Sequence, residues 1–156
     1  MEANTMRGFS LIELITCVVV LAMLAALAGP RLVDTQPFNQ RGYADELAAA
    51  LRYAEGVAVA TGCNVQVTIN LAGYAAAQRA LAAGNTCALA GAYATQVVRA
   101  DGSPLSGTPP SNANVAAAGT IVFASSGAVA NPPPPAFVVG SFTLSVDPAS
   151  GFITVQ

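Results

Sequence analysis

Histidine, lysine and tryptophan are absent from this 156-residue chain, and all six of its cations are arginine. Without histidine there is no Ser-His-Asp or Cys-His catalysis and no His-ligated zinc. Without lysine there is no phosphate-loop lysine, no Schiff base and no Ser-Lys dyad. Charged residues make up 9% of the chain, against about 25% in an ordinary soluble domain. Hydrophobic residues reach 54%, yet 33 residues are alanine, so large apolar side chains are much scarcer than that figure suggests. The net charge is -2, and the arginines are scattered at positions 7, 31, 41, 52, 79 and 99. Nucleic-acid binding rests on grouped cations that release phosphate counterions, so this spread argues against such a partner. The length suits one domain with an appendage. These absences point to a structural or assembly protein rather than an enzyme, with no cofactor or metal site expected.

The apolar residues are concentrated at the amino terminus. From Phe9 to Gly29 the chain reads FSLIELITCVVVLAMLAALAG, 21 residues with a single charge, Glu13. A helix of that length spans about 31 Å, close to the hydrocarbon thickness of a bilayer. Arg7, in the polar leader MEANTMRG, favours a cytoplasmic amino terminus, with the rest of the chain across the membrane. A secretory signal peptide is the competing reading, and Ala26-Leu27-Ala28 resembles a signal-peptidase site. The apolar run is longer than the usual signal core, and the early carboxylate is unexplained by it. In a retained helix Glu13 requires a reason, because an acid in hydrocarbon costs about 2.5–3.5 kcal/mol or more.

Arg7-Gly8-Phe9-Ser10-Leu11-Ile12-Glu13-Leu14 resembles the signature of type IV prepilins. The resemblance implies cleavage after Gly8 by a membrane prepilin peptidase, then methylation of the new amine on Phe9. It also implies that Glu13 serves subunit assembly and that Pro30 kinks the outer end of the helix. The physics runs alongside. The new amine of Phe9 is cationic and one helical turn from Glu13, which suits self-pairing or pairing with a neighbouring subunit. An unpaired Glu13 is penalised in the membrane, so assembly that pairs it is favoured. Losing the leader removes Glu2 and Arg7 and leaves the net charge at -2.

Gly29-Pro30, Pro37 and Gly42 are candidate breaks, with Gln36–Asn39 a local loosening. A helical pattern then covers about 43–61: Leu47, Leu51, Ala54 and Ala58 form one apolar stripe, with Gly62 as its stop. Asp45 and Glu46 are expected in the first turn as a solvated helix start. Asn64–Asn70 alternates as a half-buried strand, and Gly73–Arg79 is a weaker candidate to pair with it in a hairpin. Further strands are expected at Tyr93–Ala100, Thr120–Ser125, Ser141–Val146 and Gly151–Gln156. The last two form a hairpin around the turn-rich Asp147–Ser150. Two stretches read as loops: Asp101–Ala118, and the segment with Asn131 and the prolines 132–135. That proline run suits a stiff spacer, or a polyproline ligand for a partner.

Of three cysteines, Cys17 sits in the apolar segment and needs no role beyond packing. Cys63 and Cys87 lie beyond it. On a periplasmic side a disulfide between them is expected, and two free buried thiols are the alternative.

The stretches ELAAALRYA, AVATG and the strand Val65–Ile69, with Ile121-x-Phe123-x3-Gly127 and the closing hairpin, resemble the type II secretion protein H and FimT family of minor pseudopilins. LRYA, AVATGC with QVT, and the ending GFITVQ are similar to minor pilins of the MSHA type. The resemblance implies an α+β, type IV pilin-like fold: a long amino-terminal helix packed on an antiparallel β domain of about 5–7 strands. It divides the chain into a leader (1–8), a transmembrane helix (9–29), a linker with the amphipathic helix (30–62) and a periplasmic β domain (63–156). The implied partners are other pilins, the prepilin peptidase, an inner-membrane assembly platform and membrane lipid. The implied role is a low-copy subunit of a type IV pilus or type II secretion pseudopilus, priming or capping the filament. DNA uptake, known among FimT-like relatives, rests on basic carboxy-terminal residues, and 151–156 has none. The reading from another class is a membrane-anchored or exported periplasmic binding domain that uses the Pro/Gly-rich loops.

Overall fold

The computed structural model describes residues 10–28, 35–80, 86–88, 90–132 and 134–156. The chain forms two compact units, Met1–Thr35 and Gln36–Gln156. The first holds helix α1 (Leu11–Ala28). Its first turn closes on the Ser10 carbonyl, which accepts from the Glu13 and Leu14 amides at 3.0 and 3.1 Å. Ten large apolar side chains between Leu11 and Leu24 are exposed, from 45% for Val19 to 77% for Leu11. An α-helix that is apolar all round has no core-facing stripe of its own. Among the described residues no helix is long and apolar enough to cross a membrane. The 18 residues of α1 span about 27 Å, slightly short of a bilayer core. Both ends of the expected segment, Phe9 and Gly29, lie outside the described residues.

Helix α2 covers Gln36–Thr61, so it begins seven residues before the expected start. Pro37 does not break it, because a proline in the first turn forfeits an amide that has no intrahelical partner there. The early start also corrects the placement of Asp45 and Glu46, which lie beyond the first turn. Asp45 Oδ2 instead accepts from Arg41 Nε at 3.0 Å, one turn back on the surface. The apolar stripe is as expected: Leu47, Leu51, Ala54 and Ala58 are fully buried. Gly62, at φ +68°, ends the helix in the left-handed conformation that glycine adopts without cost.

Among the described residues eight strands follow: β1 (Val65–Asn70), β2 (Gly73–Gln78), β3 (Thr95–Gln96), β4 (Ser106–Gly107), β5 (Gly119–Phe123), β6 (Phe137–Val139), β7 (Phe142–Val146) and β8 (Ile153–Val155). Five form one antiparallel sheet in the order β3-β2-β1-β5, with β4 also on β2. The other three form a second antiparallel sheet, β6-β7-β8. The β1–β2 hairpin is present, with Val65 opposite Gln78 and Asn70 opposite Gly73. So is the closing β7–β8 hairpin. In its turn Asp147 Oδ1 accepts from the Ser150 amide at 2.8 Å and the Ser150 hydroxyl at 2.7 Å. Those bonds hold the Asp147 carboxyl below its ordinary range.

The stretch expected as a strand at Tyr93–Ala100 pairs only at Thr95–Gln96. β4 and β6 fall in or beside the stretches expected as loops. The outer edge of β5 is closed by the Asn131 side chain, which accepts from the Val122 amide at 2.8 Å and donates to the Thr120 carbonyl at 2.9 Å. Together with the Phe123–Val129 bridge and the Ala130 amide, which donates to the Val122 carbonyl at 2.7 Å, the side-chain amide covers an edge that otherwise invites pairing. Helix α2 packs against strands of both sheets. Leu47 and Leu51 meet Val65, Val67, Ile69, Ile121, Phe123, Phe137 and Leu144 in one core. Each such leucine or phenylalanine contributes roughly 1.5–3 kcal/mol through removal from water.

Candidate functional site

The proposed cleavage and methylation positions Gly8 and Phe9, and the proposed kink Pro30, lie outside the described residues. Glu13 is described. It is exposed in the first turn of α1, the single acid of that helix, between Ile12 and Leu14, themselves 65% and 60% exposed. Its backbone carbonyl accepts from Thr16 Oγ1 at 2.9 Å. Its carboxylate has no hydrogen-bond or ion-pair partner among the described residues. A carboxylate set in an apolar surface is strongly disfavoured in hydrocarbon unless a cation reaches it. α1 therefore presents one charged point on an otherwise largely apolar surface.

Cys63 and Cys87 are brought together as a disulfide with Cα atoms 5.3 Å apart. The bond ties the segment after β2 to the end of α2. Thr61 organises the corner: its hydroxyl donates to the Val57 carbonyl at 2.7 Å and accepts from the Cys63 amide at 3.3 Å. Cys63 is buried, and the pair closes a loop of 24-residue separation. Cys17 is free and exposed on α1.

The two flanks of α2 carry polar groups whose contacts the sequence did not foresee. On the flank toward the larger sheet, the Tyr74 hydroxyl donates to Glu46 Oε1 at 2.8 Å. It accepts from an Arg99 guanidinium nitrogen at 3.2 Å. Arg99 also donates to the Pro104 and Ser106 carbonyls at 2.6 and 3.1 Å, which fixes the excursion between β3 and β4. Burial, reinforced by the Glu46 carboxylate, pushes the Tyr74 phenol up to about 12. Burial likewise pushes Tyr43 to about 12, and its hydroxyl has no hydrogen-bond partner among the described residues. Glu46 is thus exposed, as expected, but lies well inside the helix, where it is the acceptor that joins helix to sheet. No spacing rule links residues 46, 74 and 99, because only the fold brings them together.

On the other flank, an Arg52 guanidinium nitrogen donates to the Ile153 carbonyl at 3.2 Å. Phe152 beside it is 65% exposed. Arg41 stacks on Phe142, 5.2 Å from the ring centroid. Arg52 and Arg99 are held by backbone carbonyls, Glu46 is held by the Tyr74 hydroxyl, and the Phe152 ring faces outward.

Comparison with known families covers both parts of the chain. Residues 43–156 match the family described as type II transport protein GspH. Residues 4–29 match the prokaryotic N-terminal methylation motif. No curated protein and no solved structure matches the chain. The first match spans more than half of the chain and takes in α2 from Tyr43 onward with every strand of both sheets. The chain therefore belongs to the type II transport protein GspH family, pilin-like structural subunits rather than enzymes, and it opens on an N-terminal methylation motif.

Proposed function

We propose that this protein is a minor pilin or pseudopilin, a subunit of a type IV pilus or a type II secretion pseudopilus. The observation that carries this reading is the order of the two matches: a methylation motif over 4–29, then a GspH domain over 43–156. In this reading prepilin peptidase cuts after Gly8 and methylates Phe9. The segment 9–29 anchors the chain in the inner membrane, with the β domain in the periplasm. Glu13 pairs with the terminal amine of a neighbouring subunit, so extraction from the membrane into a filament is favourable only in register. Pro30 bends the outer end of the apolar segment, and a tip or priming position is the finer assignment. The exposed apolar surface of α1 and its lone carboxylate support the reading, since both are costly unless lipid or other helices cover them.

The test is Glu13→Val. The variant inserts into the inner membrane as the wild type does but is absent from sheared filaments. Normal incorporation contradicts the assembly role. Deleting the gene and scoring surface pili, protein secretion and DNA uptake in one strain then identifies the machine served.

A further inference from the structure

Val65, Val67 and Ile69 of β1, and Tyr74 and Ala76 of β2, are buried in the core, so the alternate residues stand on the outer face of the larger sheet. The register sets those residues in two rows across three strands. Gln66, Ala77 and Gln96 lie opposite one another in the first row. Thr68, Ala75 and Ser106 do so in the second. In each row an alanine of β2 sits between two longer polar side chains, so β2 is the floor of a trough and its neighbours are the walls. Two depressions of about 310 and 460 Å³ follow this trough and meet at Thr68 and Ala75. Tyr93 borders the first, with the Arg79 guanidinium 5.3 Å from its ring centroid. None of the described residues that line the two depressions is charged. The side chains of Gln66, Thr68, Gln96 and Ser106 make no hydrogen bond among the described residues, and the last three are exposed.

We propose that this trough binds a neutral glycan chain laid along β2. The four free side chains are two amides and two hydroxyls, and each can both donate and accept, as sugar hydroxyls do. The alanine methyl groups between them offer an apolar floor to the C–H face of a sugar ring, and Tyr93 supplies an aromatic ring at one end. Successive rows are two residues apart, about 7 Å, so a chain along β2 meets an amide pair and then a hydroxyl pair. The same features exclude other occupants. Nucleic acid and anionic lipid require cations, and the trough has none. The walls stand two strand spacings apart, about 9–10 Å, which is too narrow for a helix of about 10–12 Å with its side chains. An extended peptide takes its affinity from large anchors seated in pockets, and this floor offers only methyl groups. The site uses polar side chains that the fold leaves unbonded, and it needs a single copy of the chain, which suits a minor subunit. Binding at this face is independent of whether the chain enters a filament.

The test is proton–nitrogen NMR of the full-length chain in dodecylphosphocholine micelles, a detergent without a sugar head group. Maltohexaose, cellohexaose and chitohexaose are titrated in turn, with the uncharged peptide acetyl-Gln-Ser-Thr-Gln-Ser-Thr-amide as the comparison. At least one sugar is expected to give saturable shifts at the amides of Gln66, Thr68, Ala75 and Gln96. Ala75→Trp, at an exposed strand position in the middle of the trough, fills it and should weaken that binding by about tenfold or more. Gln66→Ala with Gln96→Ala removes the amide pair without adding bulk and should weaken it by a similar factor, so this variant decides if Ala75→Trp fails to fold. Gly56→Ala, on α2, should leave binding unchanged. No saturable shift with any of the three sugars overturns the proposal. Shifts that persist at full strength in the folded trough variants, or that appear only with the peptide, overturn it as well.

Discussion

The Tyr74 hydroxyl donates to Glu46 Oε1 at 2.8 Å and thereby joins β2 to α2 across 28 residues of sequence. The same hydroxyl accepts from Arg99, so one phenol connects the helix, the sheet and the β3–β4 excursion. Tyr74→Phe leaves the packing intact and removes both bonds. A hydrogen bond to a charged group contributes about 1.5–3 kcal/mol, so the variant should lose about that much in urea unfolding. The variant should also lose part of a pH dependence. Both Tyr43 and Tyr74 titrate near 12 in the folded chain, above the ordinary 10. A raised phenol pKa stabilises the protonated fold, so that stability is whole below pH 10 and is lost as pH rises from 10 to 12. Urea midpoints across pH 8–12 for wild type and Tyr74→Phe check both statements. Equal slopes for the two proteins contradict the role of Tyr74.

Reduction should loosen the segment after β2. The Cys63–Cys87 bond closes a loop of 24-residue separation, which in the chain-entropy model contributes roughly 3–4 kcal/mol. Cys63→Ala with Cys87→Ala, or a thiol reductant, should lower the melting temperature, and the intact protein should gain two hydrogens in mass on reduction. A domain whose core is so rich in alanine depends on this crosslink more than one filled with leucine.

Two glycines should respond in opposite directions to alanine. Gly73 has φ +139°, and a Cβ there would collide with the Gly107 carbonyl oxygen. Gly73→Ala should destabilise by about 1–3 kcal/mol. Gly56 lies in the interior of α2 with open space around its Cα. Gly56→Ala should stabilise by about 0.5–1 kcal/mol through helix propensity. Thermal melts of the two variants give the comparison.

The sequence was legible where side chains alternate or recur on their own. Val65, Val67 and Ile69 announce β1, and Leu47, Leu51, Ala54 and Ala58 announce the buried face of α2; all seven are buried as their periods require. The start of α2 was not legible, because Pro37 stops a helix in mid-course yet suits its first turn, and sequence alone does not say which applies. β4 has only two residues, paired with Tyr74 and Ala75 of β2, so no periodicity can reveal it. β6 did carry a signal: Phe137-Val138-Val139, aromatic and β-branched between a proline run and Gly140, with Phe137 and Val139 fully buried. The site divides in the same way. Glu13 stands out as a lone charge in an apolar run, whereas Glu46, Tyr74 and Arg99 lie far apart in the chain and meet only in the fold.

In the proposed function this chain is processed at Gly8 and assembled through the segment that follows. Mass spectrometry of the amino-terminal peptide of the mature protein tests it most directly. The expected peptide begins at Phe9 with one methyl group on its amine. A peptide that begins at Met1, or at Gly29 after signal-peptidase cleavage, contradicts it.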